Sequence, residues 1–161
     1  MIKILLIRHG LAEEPRPGRA DPDRALTAEG WAKTRLAMAG LVAKGFRPDQ
    51  GVASPYRRAM ETLRCLQEAA PGGFPVSTWE GLEPGGRCGV AEAWLMGLVT
   101  AAGPDATLAV VSHEPFLSSL VDHLTGREVE MRKASCCVLH WQDGRFVFAE
   151  HFSPAQLRVE V

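Results

Sequence analysis

Two uninterrupted apolar runs stand out along the chain, at residues 2–7 and 107–112. An apolar run of this length without alternating polar residues is typical of a strand that is covered on both faces, as in a parallel sheet. Shorter candidate strands follow at residues 51–53 and 76–79. The pattern therefore predicts a central sheet that is mainly parallel.

Helical periodicity fills the intervals between these strands. Thr27 is suited to be the N-cap of a predicted amphipathic helix whose end is marked by Gly45. Ser54 and Pro55 are suited to the cap and the first turn of a second helix, which ends at the Pro-Gly-Gly sequence of residues 71–73. Further helices are predicted at residues 90–100 and 114–124, and loops rich in glycine and proline at 11–24 and 81–89.

The C-terminal part of the chain predicts a hairpin. Its strands are residues 135–141 and 145–149, and Asp143-Gly144 between them is a favoured turn sequence. Neither an internal repeat nor a linker interrupts the chain. Strands that alternate with helices predict an α/β fold in three layers, with a mainly parallel central sheet, helices on both faces and the C-terminal hairpin. We expect a single domain over residues 1–161.

Composition narrows the classes of protein to which the chain can belong. With 161 residues, 46% hydrophobic and 23% charged, it can bury a core without disulfides or structural metal. The formal net charge of −1 argues against a protein whose main task is binding nucleic acid. The apolar run at residues 2–7 is too short to span a bilayer and lacks the features of a signal peptide. We therefore expect a cytoplasmic protein without a membrane partner.

The numbers and spacing of cysteine and asparagine residues bear on disulfides, zinc binding and thermal stability. The four cysteines have no C-x-x-C spacing and indicate neither a disulfide framework nor a zinc site. Asparagine is absent from the whole sequence. Two explanations stay open: selection against a thermolabile residue in a thermophile, and codon bias in the genome.

Polar residues that suit phosphate chemistry follow three of the predicted strands. They are Arg8, His9 and Gly10 after the first strand, Ser54 with Arg57 and Arg58 after the second, and Ser112 with His113 after residues 107–111. Ligands of open α/β sheets bind at the carboxyl ends of strands, and guanidinium groups bind phosphoryl oxygens in pairs. If the three strand ends are adjacent, two histidines and at least two arginines surround one pocket suited to a doubly charged phosphoryl group.

Four segments together resemble the histidine phosphatase (phosphoglycerate mutase-like) superfamily. Arg8-His9-Gly10 is similar to the signature after its first strand, and Val110-Val111-Ser112-His113 to the strand that carries its second histidine. Residues 24–30 (Arg-Ala-Leu-Thr-Ala-Glu-Gly) and 54–62 (Ser-Pro-Tyr-Arg-Arg-Ala-Met-Glu-Thr) are similar to its R-x-L-T-x-x-G and S-P-x-x-R-A-x-x-T patterns. The four matches stand in family order over residues 1–125.

Features outside these motifs are similar to one branch, the small SixA-type phosphohistidine phosphatases. They are the short chain, the Leu-Glu-Pro-Gly-Gly loop at residues 82–86, and residues 112–115 and 152–154. This resemblance implies the same α/β fold and a phosphatase that acts on phosphohistidine.

The resemblance also implies roles for individual residues. His9 would be the nucleophile that forms a covalent phosphohistidine, Arg8 and Arg58 would hold the phosphoryl oxygens, and His113 would donate a hydrogen bond to them. Gly10, Ser54 and Ser112 are further candidate substrate contacts. Because arginines would supply the positive charge, we expect neither a metal nor another cofactor. Arg57, beside Arg58, is expected to face solvent.

Two departures from the family pattern concern the chemistry. Larger members carry an asparagine soon after Arg-His-Gly, and this chain has none. They also carry a glutamate acid at a Leu-x-Glu position, where this sequence has Pro84, with Glu83 one place early. Glu83 is thus a candidate acid out of register. Cleavage of alkyl esters, which needs a proton donor for the leaving alkoxide, is the activity that this departure affects.

Three hypotheses for function follow. The first is a phosphatase that acts on phosphohistidine in a partner protein, and the second is a phosphomonoesterase of the same family that acts on a small phosphate ester. The third, from a different class, is a binding module for phosphorylated ligands without catalysis. The presence of both histidines and both arginines favours an enzyme, because binding alone requires no nucleophile. The sequence predicts no particular oligomeric state.

Overall fold

The computed structural model describes residues 1–158, which contain a six-stranded sheet between two layers of helices. The strands are β1 (Ile2–Arg8), β2 (Gln50–Ala53), β3 (Val76–Thr78), β4 (Thr107–Ser112), β5 (Cys136–Gln142) and β6 (Arg145–Phe152). Their order in the sheet is β3-β2-β4-β1-β5-β6. The first four of these are parallel neighbours, and β5 runs antiparallel to both β1 and β6. The predicted mainly parallel sheet with a terminal hairpin is confirmed.

The helices cover both faces of this sheet. They are α1 (Ala28–Ala43), α2 (Arg57–Ala69), α3 (Cys88–Ala101), α4 (Phe116–Thr125) and α5 (Pro154–Leu157). Alternate residues of β1 enter two separate cores. Leu5 packs with residues of α1, α2 and α5, whereas Leu6 packs with residues of α3 and α4. The continuous apolar run of β1 therefore reflects burial on both faces, and the three-layer prediction is confirmed.

The register of the three central strands decides where polar residues meet. Arg8 pairs with Ser112 between β1 and β4, and Ala53 pairs with Val111 between β2 and β4. Because β4 lies between β1 and β2, the carboxyl ends of all three strands lie at the same level of one sheet edge.

Local signals explain the limits of α1. The Thr27 hydroxyl accepts a hydrogen bond from the Gly30 amide at 2.9 Å, which caps the first turn. Gly45, just beyond the last turn, has φ of +98°, a conformation that favours glycine. Both limits agree with the prediction from the sequence.

The second helix begins later than predicted. Its first residue is Arg57 and its N-cap is Tyr56, so Ser54 is not the cap and Pro55 is not in the first turn. The Ser54 hydroxyl instead accepts a hydrogen bond from the Tyr56 amide at 3.2 Å and bonds a distant histidine ring. The Ser-Pro pattern was misinterpreted because this tertiary partner competes with local capping.

The C-terminal segment also differs from the prediction. Strand β6 extends to Phe152 rather than residue 149, and it is followed by α5, which was not predicted. A capping box starts this short helix, because Ser153 and Gln156 each accept a hydrogen bond from the other's backbone amide. Leu157 then packs against α1, where a Cβ on Gly40 would lie 1.6 Å from the Leu157 carbonyl oxygen. The absence of a side chain at Gly40 therefore permits this contact.

Two further observations concern residues 1–158 as a whole. None of the helices there combines the length and apolar character needed to cross a bilayer. The same residues contain no group of three or more histidine, cysteine, aspartate or glutamate side chains that could hold a metal ion.

Candidate active site

The candidate site lies at the carboxyl ends of β1, β4 and β2. The His9 amide donates to the Ser112 carbonyl at 3.2 Å, and the Ser54 amide donates to the Val111 carbonyl at 3.0 Å, so the sheet pairing continues one residue into the site. The rings of His9 and His113 consequently lie 5.1 Å apart, measured between centroids. The three strand ends are therefore adjacent, as the sequence analysis required for a single pocket.

His9 is 6% exposed, and its contacts define its tautomer. Nδ1 lies 2.8 Å from the Gly10 carbonyl oxygen, which can only accept, so Nδ1 carries the proton. The opposite nitrogen, Nε2, accepts a hydrogen bond of 3.3 Å from Nε of Arg58. Burial, opposed by the hydrogen bond to Gly10 and aided by His113, Arg58 and Arg8, lowers the pKa of His9 to about 3. At neutral pH the ring is uncharged, with a lone pair on Nε2.

His113 is equally buried but has different partners. Its Nε2 lies 2.8 Å from the Ser54 hydroxyl, and the Tyr56 ring packs edge-on against it at 5.2 Å. Burial, followed by the charges of nearby arginines, lowers the pKa of His113 to about 3. Its Nδ1 is buried and has no hydrogen-bond partner within residues 1–158. A buried ring nitrogen without a partner is suited to a bound ligand.

Arg58 connects His9 to the loop that precedes α1. One terminal nitrogen, Nη1, donates to the Asp21 carbonyl at 2.9 Å, and the other, Nη2, lies 3.3 Å from the Asp21 carboxylate. The guanidinium also lies over the Tyr56 ring at 5.1 Å. Arg57 points away: its side chain is 55% exposed and pairs with Glu61 at 3.1 Å.

Arg8, the last residue of β1, contacts the segment that precedes β5. Its Nη1 donates to the Met131 carbonyl at 3.1 Å, whereas its buried Nε has no hydrogen-bond partner in the described part of the chain. Burial lowers the pKa of Arg8, and the nearby Glu114 carboxylate opposes this shift. Glu114 itself accepts from the Ser118 amide at 2.7 Å and from the Ser118 hydroxyl, which holds it on the first turn of α4.

Gly10 is positioned by two threonines. Its amide donates to the Thr62 hydroxyl at 3.0 Å, and this hydroxyl donates to the Arg58 carbonyl at 2.8 Å. A Cβ on Gly10 would lie 2.1 Å from the Thr34 hydroxyl oxygen in α1. The absence of a side chain at Gly10 therefore permits its close approach to α1. The sequence analysis assigned Thr62 no role, although its position one turn after Arg58 places it on the same side of α2.

The other predicted contacts occupy positions around this centre. Ser54 supports His113, and the fully buried Ser112 hydroxyl donates to the Leu82 carbonyl at 2.6 Å. That bond anchors the loop that carries Glu83 beside the strand ends. The Glu83 carboxylate is half-buried, and within residues 1–158 it forms no hydrogen bond or ion pair with His9 or His113. Direct contacts of Gly10, Ser54 and Ser112 with a substrate stay predictions.

The arrangement suits transfer of a phosphoryl group. The uncharged Nε2 of His9 lies beside the Arg58 guanidinium, and the Arg8 charge is close enough to act on the same ring. Phosphoryl transfer requires a nucleophile in line with the leaving group and positive charge at the equatorial oxygens. The arrangement of His9, Arg58 and Arg8 is compatible with both requirements.

Comparison with known proteins assigns the family. The sequence matches the histidine phosphatase superfamily (branch 1) over residues 4–84, half of the chain. The chain belongs to this superfamily. Its predicted membership is thus confirmed, and the chain is a phosphatase. This result decides against the hypothesis of a non-catalytic binding module.

Individual relatives refine this assignment. The phosphatase is 32% identical over 137 residues to an uncharacterised protein of Picosynechococcus sp., a match that covers 83% of this chain and 81% of that protein. The structure of the protein histidine phosphatase SixA complexed with tungstate matches with a TM-score of 0.86 and 25% identity, covering 96% of this chain and 99% of that one. The phosphatase is therefore SixA-like.

A phosphoserine phosphatase from Entamoeba histolytica, in complex with phosphoserine, shares the fold as well. Its TM-score is 0.77 at 17% identity, and the match covers 98% of this chain and 100% of that one. At this identity the likeness concerns the fold alone.

Proposed function

We propose that this phosphatase removes the phosphoryl group from phosphohistidine in a partner protein, through a covalent phosphohistidine on His9. The observation that carries the proposal is the state of His9. Its Nδ1 proton is held by the Gly10 carbonyl, and its unprotonated Nε2 lies beside the Arg58 guanidinium. A nucleophile with a fixed lone pair next to an anion-binding group is the central requirement of this chemistry.

In the first step, Nε2 of His9 forms a bond to phosphorus while the P–N bond of the substrate breaks. The electron pair of that bond goes to the leaving imidazole. Arg8 and Arg58 stabilise the charge on the equatorial oxygens, and the nitrogen of His113 without a partner contributes a hydrogen bond to them. Hydrogen bonds of this kind act in the transition state and lower the barrier.

In the second step, water attacks the phosphorylated His9. An O–P bond forms, the N–P bond breaks, and its electron pair returns to Nε2. The water proton remains on the phosphate or passes to solvent, and inorganic phosphate leaves. Because the Gly10 carbonyl still holds the Nδ1 proton, His9 returns to its original tautomer.

Phosphohistidine is proposed as the substrate because the site offers no proton donor for a leaving group within the described residues. An alkoxide is a poor leaving group and needs a proton donor, whereas imidazole is expelled much more easily. The candidate donor, Glu83, has no contact with His9 or His113 in the described residues. The similarity to SixA, a protein histidine phosphatase, supports the same substrate class.

The alternative is a phosphomonoesterase that acts on small alkyl phosphates. One observation favours it: the Ser112 hydroxyl holds the loop of Glu83 next to the strand end. If that loop moves Glu83 towards a bound ester, the carboxyl group becomes the missing acid. Comparison of substrates separates the two activities.

A short pulse with a phosphohistidine protein tests the proposal. Phosphate trapped on the enzyme should be labile to acid, as expected for phosphohistidine. His9→Ala should trap nothing and lose turnover, although it should still bind tungstate. Phosphohistidine and aryl phosphates should react far faster than a sugar phosphate, and Glu83→Gln should hardly change the phosphohistidine rate. Efficient hydrolysis of the sugar phosphate that disappears in Glu83→Gln would instead establish the phosphomonoesterase.

A further inference from the structure

Asp21 places a negative charge inside a site that is built to bind an anion. It lies in a 3₁₀ turn of residues 21–23, within the loop between β1 and α1. Its carboxylate oxygens lie 3.3 Å from Nη2 of Arg58 and 3.3 Å from Nη1 of Arg24. The side chain is 50% exposed, and these two arginines are its ion-pair partners in the described residues.

The position of this carboxylate relative to the nucleophile follows from the shape of a guanidinium. Nε and Nη2 lie along one edge of the group, which is an edge that binds two phosphoryl oxygens. In Arg58, Nε contacts Nε2 of His9 and Nη2 contacts the Asp21 carboxylate. His9 and Asp21 are therefore neighbours along one edge of Arg58, and a bound phosphoryl group must share this space with the carboxylate.

A carboxylate here repels a phosphoryl dianion, so it weakens the binding of the reacting group. Because the Asp21 side chain is half-exposed, a phosphoryl oxygen can replace its carboxylate at Nη2 of Arg58. The carboxylate then remains at the mouth of the site, held by Arg24. At the mouth it would face the leaving group. A negative charge there favours a leaving group that carries a proton and disfavours one that carries a second negative charge.

We propose that Asp21 is a specificity-determining residue, which selects the protonated imidazole of phosphohistidine by accepting a hydrogen bond from its remote N–H. This inference rests on the proposed function and deepens it. When the remote nitrogen is protonated, cleavage of the P–N bond sends its electron pair to the adjacent ring nitrogen, and neutral imidazole leaves. Without that proton the leaving group is imidazolate, which is expelled much less easily. Asp21 stabilises the protonated form, and its own carboxylate takes up no proton.

The test compares Asp21→Asn, which removes the charge at constant size, with Asp23→Asn. Asp23 is a matched control because it lies in the same turn and is exposed, and its side chain has no bond to the site residues. The value of kcat/KM is measured for a phosphohistidine peptide, p-nitrophenyl phosphate and 3-phosphoglycerate. Since a charged hydrogen bond is lost, Asp21→Asn should lower the phosphohistidine value about tenfold or more.

The other two substrates should respond differently. Neither has an N–H for Asp21, and 3-phosphoglycerate has an additional negative charge. In Asp21→Asn, kcat/KM for p-nitrophenyl phosphate should stay unchanged or rise, and kcat/KM for 3-phosphoglycerate should rise. The Kd of tungstate should fall, because the competing carboxylate is gone. Asp23→Asn should change none of these values.

A pH profile distinguishes selection of the protonated substrate by Asp21 from a role in which Asp21 only positions Arg58. The charged groups that face Asp21 are Arg24 from its own loop and Arg58 from α2. The negative charge of Asp21 raises the pKa of the bound substrate imidazolium, so the wild type should keep its phosphohistidine activity to higher pH than Asp21→Asn. Asp21→Glu, which restores a carboxylate, should recover part of the difference.

Equal losses on all three substrates with an unshifted pH profile would overturn the inference, because they would show that Asp21 only positions Arg58. A phosphohistidine value of kcat/KM that falls by less than about threefold in Asp21→Asn, where about tenfold or more is expected, would overturn it as well. If the wild type does not hydrolyse phosphohistidine, the proposed function fails, and the inference fails with it. That result differs from the first two because it appears before any substitution is made.

Discussion

At the scale of single residues, Arg58 makes a combination of contacts that no other type of side chain could make. Its three nitrogens contact the His9 ring, the Asp21 carbonyl and the Asp21 carboxylate, while its plane lies over Tyr56. A lysine has one compact ammonium and cannot make these divergent contacts from a single position. The neighbouring Arg57 lies on the exposed side of the same helix. This adjacency provides a matched pair of substitutions.

Arg58→Ala should lower kcat by about 100-fold or more, because charged donors to a developing oxyanion commonly contribute an effect of this order. Arg57→Ala should lower kcat by less than about threefold, since only an exposed ion pair with Glu61 is lost. Steady-state kinetics with an aryl phosphate measure both. Similar losses in the two variants would show that the assignment of the catalytic arginine is wrong.

Residues with a sequence motif were predictable, and residues defined only by tertiary contacts were not. His9 and Arg58 were named from their motifs, and the structure brings them within 3.3 Å. Asp21 was missed because it lies in a loop without periodicity, and its partner Arg58 is 37 residues away. The contact of Ser54 with His113 spans 59 residues, and local pattern suggested a helix cap instead.

At the scale of elements, a short chain of hydrogen bonds joins the end of β1 to the first turns of α2. The Gly10 amide donates to the Thr62 hydroxyl, which donates to the Arg58 carbonyl. Because the Gly10 carbonyl also holds the His9 proton, the loop that orients His9 and the helix that carries Arg58 are positioned together. Strand and helix patterns predicted both elements, but not this connection.

Thr62→Val should test the connection. It leaves the buried Gly10 amide without a partner, which costs about 1–3 kcal/mol in the free energy of unfolding. At this chain length Tm should fall by about 2–4 °C per kcal/mol. Turnover should also fall, because His9 loses part of its support.

Thr100→Val is the matched control for this substitution. The Thr100 hydroxyl also donates to the carbonyl four residues earlier, that of Met96, but its side chain is exposed and accepts nothing from another element in the described residues. Its replacement should change Tm by less than about 1 °C, as expected for a surface position. Equal shifts in the two variants would mean that the Gly10 contact contributes nothing.

At the scale of the whole molecule, the site buries ionisable side chains, at a cost in free energy, at one edge of an otherwise apolar sheet. Arg58 is buried and Arg8 is half-buried, and burial lowers the pKa of both. The neighbouring rings of His9 and His113 are uncharged at neutral pH, because the pKa of each is lowered to about 3. The apolar cores on both faces supply the stability that tolerates this arrangement. The fold-level pattern was predictable because it depends on those cores, whereas the pKa shifts depend on distances that no pattern encodes.

Stability should therefore depend on pH in a direction set by the two buried histidines. Burial and the charges of Arg8 and Arg58 lower the pKa of His9 and of His113 to about 3, from an ordinary value of 6.5. Between pH 6.5 and 3 the unfolded chain binds protons that the folded chain does not. The free energy of unfolding must then fall as pH decreases through this window, by up to about 1.4 kcal/mol per pH unit for each histidine.

Urea unfolding between pH 7 and 5 measures this slope where few carboxylates titrate. Replacing both histidines, as in His9→Asn with His113→Asn, should remove most of the slope, because neither site then binds a proton in the unfolded chain. His123→Asn, at an exposed histidine paired with Glu92, controls for the loss of a histidine as such. If the double variant keeps the wild-type slope, the two rings are not the source of the acid sensitivity.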